Sequence, residues 1–157
     1  MNYRFSALIS LLALIALFFL VKSQFRNEDK PPTEDEVIFL EIGSTRVNLE
    51  IANTAQTRRD GLGGRGELKE GWGMFFVFEE PDRYPFWMKD VSFPLDIVWI
   101  SEDWQISGVE QNVLPSSYPT TFRSTRPVLY VLEVNAGFVK DNQIEVGSFV
   151  KLVETIP

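Results

Sequence analysis

The sequence predicts a mainly β protein: a small compact β-barrel or sandwich with one or two short helices, preceded by an N-terminal transmembrane helix. Three observations carry this expectation. Seventeen residues, Phe5 to Val21, form an apolar run near the length that spans a bilayer core. Beyond it, short apolar or alternating segments recur with turn residues about every eight to twelve positions, the spacing of small all-β folds. Helical signals are confined to two short stretches.

The apolar run, FSALISLLALIALFFLV, is interrupted only by Ser6 and Ser10 and is flanked by Arg4 before it and Lys22 and Arg26 after it. An uncleaved signal-anchor, a cleavable signal peptide and a buried helix of the domain all fit an apolar run. Nothing around the segment is amphipathic, which argues against a buried helix. A cleavable signal wants a shorter core and small residues at the cut, and Val21-Lys22-Ser23 supplies them only loosely. Residues 1–22 are therefore read as a transmembrane signal-anchor, or else a signal peptide. Basic residues stand on both sides; the reading adopted has the N-terminus inside and the domain on the extracytoplasmic side of the cytoplasmic membrane. Residues 23–36, SQFRNEDKPPTEDE, lack apolar periodicity and carry Pro31-Pro32, so they read as a disordered tether. The globular β domain is expected over 37–157.

Within it, VIFLEI (37–42) and TRVNLEI (45–51), broken by Gly43-Ser44, predict a hairpin with Val47, Leu49 and Ile51 on the buried face. Asn53 and Gln56 are read as a capping pair for a short helix from Ala55 to Asp60, stopped by Gly61. The stretch GLGGRG (61–66) has no leading strand, no long following helix and no closing Lys-Ser/Thr, so it is a turn-rich loop rather than a phosphate loop. GMFFVF (73–78) and LDIVWI (95–100) have no wet face and are expected as central strands. EEPDR (79–83) reads as a turn and YPFWM (84–88) as a strand. QISGVEQ (105–111) follows the Asp103-Trp104 turn, and a Pro-, Ser- and Thr-rich loop (114–125) leads to VLYVLEV (128–134). A helical turn in AGFVKDN and a strand pair in IEVGSFVKLV around Gly147-Ser148 complete the chain.

The chemistry is bounded by what is missing. Cysteine and histidine are both absent, which removes disulfides, thiolate nucleophiles, the usual zinc and haem ligand sets, and every triad built on histidine. No D-x-D-x-D-G series occurs for calcium, and neither a metal nor a cofactor is expected. The chain carries a net charge of −7, and beyond residue 30 eleven bases face twenty acids. A domain this acidic repels phosphate backbones, so nucleic acid is excluded as a partner. The partners expected are the membrane, through residues 5–21, and an unknown small molecule, glycan or protein.

An ordered series of matches, Gly61-Leu62, Arg65, Gly73 to Phe78, Phe86-Trp87-Met88-Lys89, Pro94 to Ile97, Val131-Leu132-Glu133, Ala136-Gly137-Phe138 and Val146-Gly147, resembles the prokaryotic family catalogued as domain of unknown function 192. The resemblance runs from about Ile42 to Leu152. It implies a small mainly β domain, often behind a secretion signal or anchor, and no established activity. Members usually carry Asn where Asp90 stands, Gly where Trp104 stands, and often Cys where Ser116 or Ser117 stands, so a thiol-dependent role is put in doubt in this chain.

The polar residues set among apolar runs are the candidate ligand contacts: Arg65, Trp87, Lys89, Asp90, Asp96 and Glu133. Lys89 follows three large apolar residues, so its stem can cover apolar surface while the ammonium reaches solvent. Asp96 and Glu133 lie inside apolar strands, where an unpaired carboxylate is costly. Asp96 must reach a rim, accept backbone hydrogen bonds, or pair with Lys89, Arg65 or Arg58. Trp87, Trp99, Phe75, Phe76 and Phe78 read first as core and second as a ligand slot, while Trp72 and Trp104, at turns, read as surface contacts. No activated nucleophile is visible, so a binding or assembly module is the first reading and a small carboxylate-dependent hydrolase-like enzyme the alternative.

Overall fold

A computed structural model describes residues 37–155. The expected membrane segment and the tether lie outside the described residues. Among those described, no helix is long and apolar enough to cross a membrane.

Seven strands form one sheet: β1 (Val37–Ile42), β2 (Thr45–Ala52), β3 (Trp72–Asp82), β4 (Leu95–Ile100), β5 (Ile106–Val113), β6 (Val128–Asn135) and β7 (Val150–Thr155). Their order is β5-β4-β6-β3-β2-β1-β7. The two ends of that order meet, because Gln105 bridges Phe149 and the Val150 N–H donates to the Trp104 carbonyl at 2.8 Å. The sheet thus curls into a barrel-like shape whose two end strands touch at this corner. Every strand sends side chains into the interior cluster, including Leu40, Val47, Phe75, Val98, Ile106, Leu132 and Val150.

β1 and β2 form the expected hairpin around Gly43, whose φ of 61° suits a tight turn. β2 and β3 then pair in parallel, Ile51 opposite Phe75, which demands a crossover. That crossover holds α1 (Ala55–Asp60) and the glycine-rich turns. The cap of α1 is Thr54 rather than Asn53: its side chain accepts from the Thr57 N–H at 3.1 Å, and the Thr57 hydroxyl returns to the Thr54 N–H. Threonine at the third helical position closes the capping box here in place of Gln56, which instead donates to Asp60.

β3 and β4 are central, as their unbroken apolar runs require, and every residue of β4 is buried. Their second faces, with that of β6 between them, carry another cluster outside the barrel: Met74, Phe76, Ile97, Trp99 and Val131, covered by Leu62, Leu68, Phe86, Met88 and Val91 from loops. Two expectations fail in this region. EEPD continues β3 irregularly to Asp82 instead of turning. YPFWM contributes only a single bridge, Phe86 to Phe122, because Pro85 has no N–H to donate and the segment lies over the sheet rather than in it. Between Ile144 and Ser148 the chain is a turn, so β7 alone represents the expected final pair. α2 (Phe138–Asp141) is the second short helix.

Candidate functional site

The loops over the outer cluster leave a cleft of about 710 Å³. One wall is α1 and its glycine turns, with Arg58, Arg59, Asp60 and Gly61 to Gly64; the opposite wall is the extended segment Tyr84 to Val91. The walls are tied together where the Gly64 N–H donates to the Asp90 carbonyl at 2.8 Å. Gly63 allows that approach, since a Cβ there would stand 3.1 Å from the Asp60 carbonyl and 3.4 Å from that of Lys89.

The interior is aromatic. Phe76 meets Phe86 edge-on at 4.9 Å between centroids, and Phe78 stacks on Tyr84 at 3.5 Å. The Arg58 guanidinium stands 5.3 Å from the centre of the Phe78 ring while donating to the carbonyls of Asn53 and Val77 and pairing with Glu79. Burial, and secondarily the nearby Asp82, pushes the Tyr84 hydroxyl above its ordinary range; its O–H donates to the Glu80 carbonyl.

Glu133 reaches this cleft from β6, between Met74 of β3 and Ile97 of β4. It is buried and makes no ion pair or side-chain hydrogen bond among the described residues. With nothing to compensate the lost hydration, burial lifts its carboxyl from the ordinary 4.5 to about 8. At neutral pH it therefore holds a proton and is a neutral hydrogen-bond donor at an aromatic site.

Of the six candidates, four line the cleft: Trp87, Lys89, Asp90 and Glu133. In the wall segment the side chains alternate, Phe86 and Met88 buried, Trp87 and Lys89 exposed. Trp87, expected first as core, is 45% exposed for that reason. Asp90 adopts φ 59°, a left-handed turn conformation that Asn and Asp tolerate better than other side-chain-bearing residues. Arg65 is not part of the cleft lining; it pairs with Glu50 at 2.7 Å and fixes the crossover to β2. Asp96 also lies elsewhere, with the barrel interior, where its two oxygens accept the N–H groups of Asn112 and Val139 at 2.8 and 2.9 Å. Phe75 faces the barrel interior, while Phe76 and Phe78 line the cleft. Trp104, expected at the surface, stacks on Tyr130 at 4.4 Å. Arg59, Asp60 and Tyr84 escaped the sequence reading, because only the parallel crossover brings α1 opposite residues 84–91.

The described residues thus form a mainly β domain with an aromatic cleft on the outer face of its sheet, a buried acid within that cleft and a polar rim around it. The family model DUF192, described as Uncharacterized ACR, matches residues 38–152, and the chain belongs to that family. The domain is similar to the crystal structure of a Sinorhizobium meliloti 1021 protein provisionally described as a transcription regulator. The two share 30% identity over 78% of this chain and 98% of that one, with a TM-score of 0.68. It is also similar to a Novosphingobium aromaticivorans DSM 12444 protein of unknown function, at 31% identity over 73% of this chain and 83% of that one, with a TM-score of 0.66. No curated protein matches the chain.

Proposed function

We propose that the domain is a non-catalytic ligand-binding module, held by residues 5–21 at the extracytoplasmic face of the cytoplasmic membrane. The observation that carries this reading is Glu133: a proton-holding carboxyl without a partner among the described residues, set in an aromatic cleft that is open to solvent. Burying an unpartnered acid costs stability, and a ligand acceptor that takes its O–H repays part of that cost. Binding is favoured over catalysis because the cleft holds no nucleophile with an adjacent base.

A screen of tryptophan emission tests the reading, using full-length protein and a small-molecule library at pH 7 and pH 9.5. Cleft ligands lose their effect in the Trp87→Phe variant and weaken at the higher pH, where Glu133 ionises amid Asp60, Asp90, Arg58, Arg59, Lys89 and Tyr84. The reading fails if no hit depends on Trp87 or on pH. The same protonated carboxyl supports a second reading, a carboxylate-dependent hydrolase-like enzyme with Glu133 as general acid. Turnover of a hit that stops in the Glu133→Gln variant would establish it.

A further inference from the structure

The ligand class follows from how charge is arranged around the cleft, and the assignment rests on the binding-module reading. Each wall presents a cation and an anion at neighbouring positions, Arg59-Asp60 at the end of α1 and Lys89-Asp90 at the turn opposite. All four are exposed. The ion pairs of the described residues are Glu41–Arg46, Glu41–Lys151, Glu50–Arg65 and Arg58–Glu79, and none uses these four. Among the described residues, the Asp60 carboxylate accepts from the neutral Gln56 amide alone, at 2.8 Å.

A net charge on the ligand works against itself here. An anion drawn to Arg59 and Lys89 is repelled by Asp60 and Asp90, and a cation meets the reverse. A neutral molecule with many hydroxyls satisfies both kinds of group, because each hydroxyl donates to a carboxylate and accepts from an ammonium or guanidinium. Trp87 supplies the second requirement. The residue is 45% exposed at the cleft, between Phe86 and Met88, whose burial holds the backbone in place. A flat indole face so presented complements the C–H face of a pyranose ring, and a rigid aromatic loses little conformational entropy on binding. In the same cleft, the buried Glu133 offers a neutral donor for a sugar oxygen. The alternation of signs does not suit the uniform charge of a polyanion or of an anionic lipid surface.

We propose that the cleft binds a neutral glycan, one sugar ring stacking on Trp87 and its hydroxyls shared between Lys89-Asp90 and Arg59-Asp60. Isothermal titration calorimetry of the full chain, held in a polyoxyethylene detergent so that no sugar headgroup competes, tests this. The probes are the tetrasaccharides of N-acetylglucosamine, cellulose and maltose, with oligogalacturonate and benzoate as charged comparisons. At least one neutral tetrasaccharide is expected to bind with a dissociation constant of roughly 0.1–1 mM, the range of a small, wet interface. Trp87→Ala is expected to weaken it at least about tenfold while melting near wild type, and Asp90→Ala to weaken it without strengthening oligogalacturonate, as a single bidentate contact would. Binding of benzoate or oligogalacturonate at the Trp87 site with all neutral sugars silent overturns the glycan assignment and leaves the binding module standing. Silence of every probe in both this titration and the library screen overturns both.

Discussion

Asp96 on β4 accepts the backbone N–H of Val139 in the first turn of α2 at 2.9 Å, 43 residues away in sequence. Its other oxygen accepts the N–H of Asn112 at 2.8 Å, beside a register shift where β5 bulges against β4. A bulge leaves an N–H outside the ladder, and a buried carboxylate is one of few groups that satisfies it and a helix terminus together. Asp96 is accordingly a joint between three elements.

Asp96→Asn is expected to destabilise the domain by roughly 2–4 kcal/mol, because an amide offers one acceptor oxygen where two are used and turns an NH2 toward a buried donor. Asp96→Ala should cost a similar amount by orphaning both N–H groups. Chemical denaturation measures the change, and a midpoint equal to wild type for both variants would show that the two hydrogen bonds contribute nothing.

Glu133 gives the domain a pH dependence of unusual sign for a carboxyl. Between the ordinary 4.5 and about 8 the folded state keeps a proton that the unfolded state has released. Stability therefore falls as pH rises through this window and levels off above it, with this group accounting for roughly 5 kcal/mol at most. Glu133→Gln removes the titration, so the variant should be more stable than wild type at pH 8 and close to it at pH 4.5. Thermal melts across that range check this; a wild-type slope retained by the variant would exclude Glu133 as its source.

The two tryptophans of the central stretch part company. Trp99 is buried on β4 and its indole N–H has no acceptor among the described residues. Trp99→Ala should cost about 3–5 kcal/mol through the cavity it leaves, while Trp99→Phe should cost far less, since it keeps most of the volume and removes the orphan donor. Trp87→Ala should cost under about 1 kcal/mol, the residue being half exposed. Comparable losses at the two positions would contradict the alternation of Phe86 to Lys89.

Trp104 stands at φ 58°, where a bulky residue is strained, yet it stacks on Tyr130 and Phe75. Trp104→Gly should be the more stable of two truncations, ahead of Trp104→Ala by roughly 0.5–1 kcal/mol, because alanine loses the ring and keeps the strain. Denaturation of the pair decides it, and the ordinary ranking of alanine above glycine would refute the strain.

A fragment of residues 37–157 is expected to fold alone as a soluble monomer, since it contains all seven strands and both clusters. Circular dichroism and light scattering test it. The full chain is expected to stay with membranes after carbonate extraction, and recovery of a chain starting near Gln24 would establish cleavage instead.

The sequence by itself determined what is local or periodic. The β class, the β1–β2 hairpin, the central places of β3 and β4, the glycine that ends α1 and the absence of histidine and thiol chemistry are all written in short windows of residues. The Asn and Gly usual in the family at the positions of Asp90 and Trp104 also turn out to be local signals, because both positions carry positive φ. Only the tertiary structure decided the parallel crossover between β2 and β3, the curling of the sheet into a barrel-like shape, and which polar residues meet. Alternation along β4 puts Asp96 on one face and Ile97 on the other, but nothing local says that the first face is the barrel interior and the second backs onto the cleft. Glu133 and Asp96 look alike in sequence, each a lone acid in an apolar strand; Asp96 finds two backbone donors and Glu133 finds none among the described residues, and that difference is set by β5 and α2, elements remote in the chain.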